Sequence, residues 1–298
     1  FRTVKLQANL LLLLTSVIWG FGFIAQRLGM DHIGPYSFNA FRFLLGALSL
    51  LPLVYFLGKK KTAQPKAGKP FWIIGGLAGI VLFGGAALQQ VGLQYTTAGK
   101  AGFITGLYLV IVPLIGFCLR QTIDKLTIAG ALLATYGLYL LSITKGFDIG
   151  RGDSLVLFGA FFWAVHVQVV GYAAKYKLDP LKLAVLQYLI CAGLNLILAL
   201  FLEEFSVQAT LNASGAILYA GLISVGVAYT LQIVAQKHID PSRAAIILSL
   251  EAVFAVLGAW LVIILGLSFA KADEILNSRQ AWGCILMFAG MLLSQLPG

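Results

Sequence analysis

Charged residues are scarce in this sequence of 298 residues, of which only 11% are Asp, Glu, Lys or Arg. A soluble domain is about a quarter charged and about half apolar. Here 60% of the residues are hydrophobic, and the mean hydropathy is +0.92. The apolar residues come in blocks of about twenty, the length that a helix needs to cross ~30 Å of hydrocarbon. These proportions exclude a soluble globular domain and predict an all-α polytopic membrane protein.

Cysteine and the signatures of enzymes are also rare. The three cysteines, Cys118, Cys191 and Cys284, show no metal-binding spacing, and we interpret them as small packing residues. Gln94 and Ala101 break the phosphate-loop pattern around TTAGKAG, and the chain has no G-x-S-x-G, no H-E-x-x-H and no Asp-rich diphosphate motif. We therefore predict neither an enzyme nor an ATP-driven pump, and we expect no cofactor and no metal.

The apolar blocks predict ten membrane spans with cytoplasmic termini. The spans are Leu6–Leu28, Pro35–Leu57, Pro70–Gln94, Ala98–Cys118, Leu126–Ile143, Ser154–Ala174, Pro180–Leu202, Ala213–Gln236, Ser242–Leu265 and Gln280–Leu296. When the N-terminus is placed inside, 14 Lys and Arg residues flank the spans on the inner side and six on the outer side. This bias predicts a multi-pass protein of the cell (inner) membrane, and it explains the net charge of +10 without a nucleic-acid partner. Pro113, inside the fourth span, is expected to kink it.

The start of the chain adds two expectations. The first span lacks a small-residue cleavage site after a short apolar core, so we interpret it as a retained span and not as a signal peptide. The sequence opens on Phe1 and not on Met, and we expect that residues before it were trimmed.

The chain is a duplicated unit. A shift of about 144 residues aligns the halves across every span, with few identities. The mates are Trp19 and Trp163, Arg42 and Gln187, Gln89 and Gln232, Tyr108 and Glu251, Gly130 and Gly283, and Gly137 and Gly290. We assign 1–143 to the first five-helix repeat, 144–151 to a linker and 152–298 to the second repeat. Because five is odd, the second copy enters the membrane inverted, as is typical of secondary transporters.

The repeats also carry a family resemblance. The segments SVIWGFGFIAQ, FNAFRFLLGAL, TTAGKAGFITGLYLVIVPL, TIAGALLATYGLYLLS, GAFFWAVHVQ and SRAAIILSLEAVFAVLGAW resemble the drug/metabolite transporter superfamily, and in particular its ten-span EamA-type members. The resemblance implies two copies of one five-helix unit and favours efflux of amino acids or related metabolites. Ala252 stands where the family often has a proline after the ninth-span Glu, and LRQTID and GLSFAKADEILNSRQ replace short Glu-bearing turns.

Ionisable residues inside predicted spans are functional candidates, because each is costly in the bilayer unless it faces protein or water. Glu251 lies about ten residues into its span, hence ~15 Å from the cytoplasmic end, at the midplane. We interpret it as a substrate- or proton-binding carboxylate, and a buried structural acid is the alternative. The small residues beside it, Ala244, Ala255 and Gly258, indicate either close helix packing or a cavity.

Two further ionisable residues have alternative roles. Arg42 is either an anion clamp, an ion partner of Glu251, or a structural residue bonded to main-chain carbonyls, and the structural role is favoured because the resembling family has Arg here regardless of substrate. His166 is either a proton relay or a buried neutral side chain bonded to a carbonyl, and the latter is favoured.

The functional hypothesis joins these residues. Mates at similar depth converge on the axis between the repeats, so we predict that Trp19, Gln89, Tyr108, Trp163, Gln232 and Glu251 line one central substrate site. Such a site suits a small amphipathic solute. We predict a secondary transporter that exports an amino acid or a related compound by alternating access, with proton coupling through Glu251 and His166 as an option. A lipid or glycolipid flippase, a facilitator, a channel and an intramembrane enzyme are the alternatives, and monomer and homodimer both remain open.

Overall fold

The structure is a computed structural model, and it describes residues 2–60, 69–142, 150–264 and 277–296. Every regular element in these four ranges is a helix, which confirms the all-α fold class. The helices are α1 (Arg2–Gly29), α2 (Pro35–Lys60), α3 (Lys69–Gly92), α4 (Ala98–Gly106), α5 (Tyr108–Cys118), α6 (Lys125–Ser142), α7 (Arg151–Lys175), α8 (Pro180–Leu202), α9 (Val207–Asn212), α10 (Ser214–Leu218), a π-helix (Tyr219–Tyr229), α11 (Thr230–Ala235), α12 (Pro241–Leu248), α13 (Glu251–Ile264) and α14 (Ser278–Gln295). The linker 144–151 and the loop after the ninth predicted span lie mostly outside the described residues.

The chain is a polytopic membrane protein. Within the described residues, eight helical segments are long and apolar enough to cross a membrane. The fifth predicted span corresponds to the shorter apolar helix Lys125–Leu141, and the tenth corresponds to α14, which has 18 residues. The described ranges therefore hold a helical segment at the position of each span expected from the sequence.

Local sequence sets the starts of several helices. Asp179 and Asp240 accept hydrogen bonds from first-turn N–H groups, and a proline follows each as the first helical residue. Proline is tolerated there because the N–H it lacks would have no partner within the helix. Thr97 caps α4 through its hydroxyl, and Asn277 with Gln280 forms a reciprocal capping box at the start of α14.

The fourth and ninth spans are each interrupted near their middle. The break in the fourth span lies at Leu107, between α4 and α5, and α5 continues through Pro113 to Cys118. The break in the ninth span lies between Leu248 and Glu251. Since Tyr108 and Glu251 are repeat mates, each half of the chain starts a new half-helix at the equivalent residue.

A tightened turn closes the first half-helix at each break. The N–H of Leu107 donates to the carbonyl of Ile104, and the N–H of Leu250 donates to that of Ile247, both at 3.2 Å. These bonds span three residues and not four, so they satisfy main-chain groups that an interrupted helix would leave open in the membrane.

The packing of α6 against α14 is antiparallel and runs through glycines. A Cβ atom on Gly130 would lie 2.5 Å from the carbonyl oxygen of Gly290, and one on Gly137 would lie 2.6 Å from that of Gly283. Exchanging the two halves converts one of these contacts into the other, because Gly130 is the mate of Gly283 and Gly137 is the mate of Gly290. This exchange is what the predicted two-fold axis between the repeats would produce.

Other contacts between the halves follow the same scheme. Helix α2 packs on its mate α8, α3 packs on α7, and α1 packs on the π-helix and on α13. Small residues again permit close approach, since a Cβ on Gly92 would lie 2.9 Å from the carbonyl of Gly152. The predicted superposition of 1–143 on 152–298 by a near-180° rotation stays a prediction.

Candidate functional site

A cavity lies between the two halves, where both interrupted spans meet α1, α2, α3, α7 and the eighth span. All six residues predicted to form the substrate site line it, together with Arg42 and His166. Its full lining is Trp19, Phe23, Gln26, Arg42, Gln89, Thr105, Tyr108, Trp163, His166, Val167, Ser224, Tyr229, Gln232, Leu248 and Glu251. Every one of these side chains except Trp19 is buried within the protein.

One wall of the cavity is a satisfied hydrogen-bond network. The indole Nε1 of Trp163 donates to Oε1 of Gln89 at 2.8 Å, and Nε2 of Gln89 donates to Oε1 of Gln26 at 3.1 Å. The hydroxyl of Thr105 donates to the same Gln89 oxygen at 3.5 Å. Because its polar atoms already have partners, this wall is rigid and offers few open acceptors.

The equivalent wall in the second half differs. Nε2 of Gln232 donates to Oε1 of Gln236 at 2.9 Å, but Oε1 of Gln232 has no hydrogen-bond partner among the described residues. Trp19 donates from Nε1 to the carbonyl of Ser224 at 3.3 Å, and its ring lies 4.5 Å from that of Tyr229. The mates Gln89 and Gln232 are therefore not equivalent, and only Gln232 presents an open carbonyl oxygen.

Glu251 is the first residue of α13 and is only 4% exposed. The N-terminus of a helix carries partial positive charge from its free N–H groups, and this favours a carboxylate. Tyr108 is close enough to interact with Glu251, but neither the Tyr108 hydroxyl nor Oε1 of Glu251 has a well-formed hydrogen bond within the described part of the chain. The carboxylate thus keeps an open acceptor in the cavity.

The small residues that follow Glu251 serve helix packing. A Cβ atom on Gly20 of α1 would lie 2.8 Å from the main-chain oxygen of Glu251, and one on Gly258 would lie 3.0 Å from the ring of Phe21. The sequence left close helix packing and a cavity as alternatives for the small residues beside Glu251. Close packing applies on the face that meets α1.

Arg42 is 2% exposed, and its Nε donates to Oδ1 of Asn39 at 2.9 Å. Its guanidinium carbon lies 4.9 Å from the centre of the Phe43 ring. Among the described residues it forms no ion pair, with Glu251 or any other acid, and no hydrogen bond to a main-chain carbonyl. Neither the ion pair nor the main-chain bonds proposed from the sequence are present there.

His166 is buried and fixed by a neighbouring amide. Its Nε2 lies 3.0 Å from Oε1 of Gln187, and its ring meets the rings of Trp163 and Tyr229 edge-on. Because an amide oxygen only accepts, Nε2 carries the hydrogen in this contact. The contact fits the favoured interpretation of a histidine bonded to a carbonyl oxygen, and its neutral state stays a prediction.

Ion pairs join the two halves at the N-terminal ends of α4 and α12, the half-helices that lead to the cavity. Lys100, in the first turn of α4, pairs with Asp153 of α7 at 2.9 Å. Its mate Arg243, in the first turn of α12, pairs with Asp124 before α6 at 2.8 Å. The mates thus anchor α4 and α12 to the opposite half.

The Arg243–Asp124 pair should stay intact across the physiological pH range. Burial opposes ionisation of Asp124, but hydrogen bonds from Thr127 and Arg243, with the charge of Arg243, outweigh it and hold the pKa of Asp124 below its usual value. A lowered pKa stabilises the fold above the unfolded pKa of about 3.9, and the contribution is lost as the pH falls through the folded pKa. Asp124→Asn should therefore lower the thermal unfolding midpoint by a constant amount from pH 5 to 8.

That prediction is checked by comparing wild type and Asp124→Asn in detergent between pH 3 and 8. The difference in midpoint should shrink only below about pH 4. A difference that changes between pH 5 and 8 would contradict it.

The polytopic helical fold and the buried polar residues between its halves are typical of a membrane transport protein, and comparison with known proteins gives its family. The model of the EamA-like transporter family matches residues 6–143 and again 150–296. The chain belongs to this family, as the sequence resemblance indicated.

Known relatives are transporters by name. An uncharacterized transporter of Archaeoglobus fulgidus is 34% identical over 98% of this chain and 87% of its own length. A probable amino-acid metabolite efflux pump of Salmonella typhimurium is 28% identical over 52% of this chain and 50% of its own. A solved crystal structure has the same fold, with a TM-score of 0.72 and 20% identity over 97% of this chain and 96% of that one.

Proposed function

We propose that this membrane transporter exports a small amphipathic metabolite, an amino acid or a related compound, from the cytoplasm by alternating access. The moving bodies are the repeats 1–143 and 152–298, joined by 144–151, with both termini in the cytoplasm. The observation that carries the proposal is the cavity between the halves, lined by polar residues and aromatic rings from both.

The open acceptors in the cavity support a solute with an ammonium group. Oε1 of Glu251 and Oε1 of Gln232 both lack a partner among the described residues. An ammonium group has three N–H donors, and the faces of Trp19, Trp163 and Tyr229 attract a cation or an apolar side chain. In this proposal the six residues predicted from the sequence form the substrate site.

Proton coupling rests on Glu251, the only carboxylate among the residues lining the cavity. A protonated Glu251 has no charge with which to hold an ammonium group, whereas an ionised Glu251 holds it strongly. Exchange of a proton for the solute on this side chain would therefore link uphill export to the pH gradient. His166 is bonded to Gln187 in the same cavity, and we assign it at most a supporting role in the relay.

The test is counterflow in proteoliposomes loaded with a panel of amino acids and related metabolites, with and without a pH gradient. We expect at least one amino acid to be exchanged by the purified protein and to accumulate when a gradient is imposed. If no amino acid is exchanged, but a fluorescent lipid crosses between leaflets, the flippase alternative replaces this proposal. Protein-free liposomes provide the background for both measurements.

A further inference from the structure

The guanidinium of Arg42 is a buried charge with most of its donors unused. Guanidinium has five N–H donors, yet Arg42 makes one hydrogen bond, from Nε to Asn39, among the described residues. Nη2 is buried and has no partner. A buried charge without an opposite charge is costly, and the groups recorded over the guanidinium besides Asn39 are the rings of Phe38 and Phe43. An anionic ligand would supply the missing opposite charge.

The position of Arg42 is fixed by a chain of amides. Nδ2 of Asn195 donates to the carbonyl of Cys191 at 2.9 Å, and Nδ2 of Asn39 donates to Oδ1 of Asn195 at 3.2 Å and to the carbonyl of Ala86 at 3.1 Å. Oδ1 of Asn39 then accepts from Nε of Arg42. Holding the guanidinium by Nε leaves its two Nη atoms, the edge that binds a carboxylate with two parallel hydrogen bonds.

We infer that Arg42 is the carboxylate-binding residue of the cavity and that the transported solute is a zwitterion. The solute carboxylate is held by the Nη edge of Arg42, and its ammonium group is held by Glu251 and Gln232. This inference rests on the proposed function and narrows its substrate class. Amines and other solutes that lack a carboxylate would leave Arg42 uncompensated.

The charges in the cavity favour a carboxylate over a more highly charged anion. Arg42 and an ionised Glu251 line the same cavity, so its formal charge is near zero, which suits a solute that carries one charge of each sign. A phosphate dianion would be repelled by Glu251.

The two charged residues of the site, Arg42 and Glu251, belong to different halves of the chain. Arg42 lies in α2, Glu251 lies in α13, and the mate of Arg42 is the neutral Gln187 of α8. A bound zwitterion would therefore bridge the repeats in one orientation. A ligand that contacts both moving bodies favours the closed state over the open ones, because only the closed state makes both contacts.

The test is equilibrium binding to the purified full chain in detergent, by calorimetry, and it requires no transport. The twenty common L-amino acids are screened, and the tightest binder is compared with its carboxamide and its decarboxylated amine; for phenylalanine these are phenylalaninamide and 2-phenylethylamine. A hydrogen-bonded ion pair should give wild type a preference for the amino acid of about tenfold or more over both analogues.

Arg42→Gln should remove this preference, so that the three probes bind within about threefold of one another. The fold already accommodates glutamine at the equivalent position, Gln187 in α8. Arg42→Lys keeps the positive charge but loses the paired N–H groups that bind a carboxylate, so it should retain a reduced preference for the amino acid over its analogues. The matched control is Arg120→Gln, the same change at an exposed arginine outside the cavity, and it should bind like wild type.

Each outcome decides the inference. An unchanged preference in Arg42→Gln, or an equal loss for all three probes, would assign Arg42 a structural role. The inference is also overturned if wild type binds no amino acid, or binds the amine and the amino acid equally. It is overturned as well if chloride or phosphate displaces the amino acid and the protein shows no preference among the three probes. If the preference depends on Arg42 but liposomes show no exchange, the proposed transport fails while the assignment of Arg42 stands.

Discussion

Glu251→Gln should insert and fold like wild type, yet lose accumulation that is driven by a pH gradient. Glutamine has nearly the shape of glutamate but binds no proton, so it cannot exchange one for the solute. With one proton exchanged per solute, a pH difference of one unit supports about tenfold accumulation, and the variant should show none. Accumulation and counterflow in proteoliposomes, at matched amounts of inserted protein, measure the two activities separately.

The control and the alternatives are specific. Glu204→Gln makes the same substitution at an exposed glutamate after α8 and should transport like wild type. If the charge of Glu251 serves only to bind the solute, counterflow should be lost together with accumulation. Full pH-driven transport by well-inserted Glu251→Gln would return Glu251 to the structural role that the sequence also allowed.

The sequence predicted much of the fold because hydropathy and repetition are both visible in it. Apolar blocks located the spans, and repeat mates brought Gln89 and Gln232, or Tyr108 and Glu251, to one cavity. The interruption of the ninth span was not predicted, because neither Ser249 nor Leu250 is a helix-breaking residue. The backbone breaks there by a tightened turn, and this depends on tertiary packing more than on local propensity.

Three of the cavity residues that sequence reasoning missed share one property. Gln26, Ser224 and Tyr229 all line the cavity, but in the repeat register they align with apolar residues, Val170, Val81 and Ala86. An argument from symmetric polar pairs cannot find them. For Gln26 and Ser224 the remaining signal was a polar residue inside an apolar block.

The eighth span shows a similar limit. Its π-helix, Tyr219–Tyr229, ends at Tyr229. The ring of Tyr229 stacks on that of Trp163 and makes a tilted contact with that of Trp19. A π-helix closes each turn with five residues and not four, and such segments are frequent at functional sites. Its apolar composition gives no sign of this geometry, because an α-helix of the same residues would be equally suited to lipid.

The crossing of α6 and α14 should be the most sensitive helix contact to a single added methyl group. A Cβ atom on Gly130 or Gly137 would lie 2.5 or 2.6 Å from a main-chain oxygen of α14, which cannot rotate away as a side chain can. The helices must therefore separate, and we expect Gly130→Ala and Gly137→Ala each to cost on the order of 1–3 kcal/mol. Combined, they should lower the thermal unfolding midpoint in detergent by about 5 °C or more.

The matched control for these variants is Gly193→Ala in α8, where an added Cβ atom would meet no neighbour within 4 Å. Both kinds of variant change a helical glycine to alanine, so the gain in helix propensity is common to them, and the difference isolates the contact. A Cβ atom on the mates Gly283 or Gly290 would lie 2.6 or 2.5 Å from the equivalent oxygens of α6, so their alanine variants should show losses of the same size. If Gly130→Ala and Gly137→Ala unfold at the temperature of Gly193→Ala, the helices do not approach this closely, and the two-fold contact between the repeats is not made through these glycines.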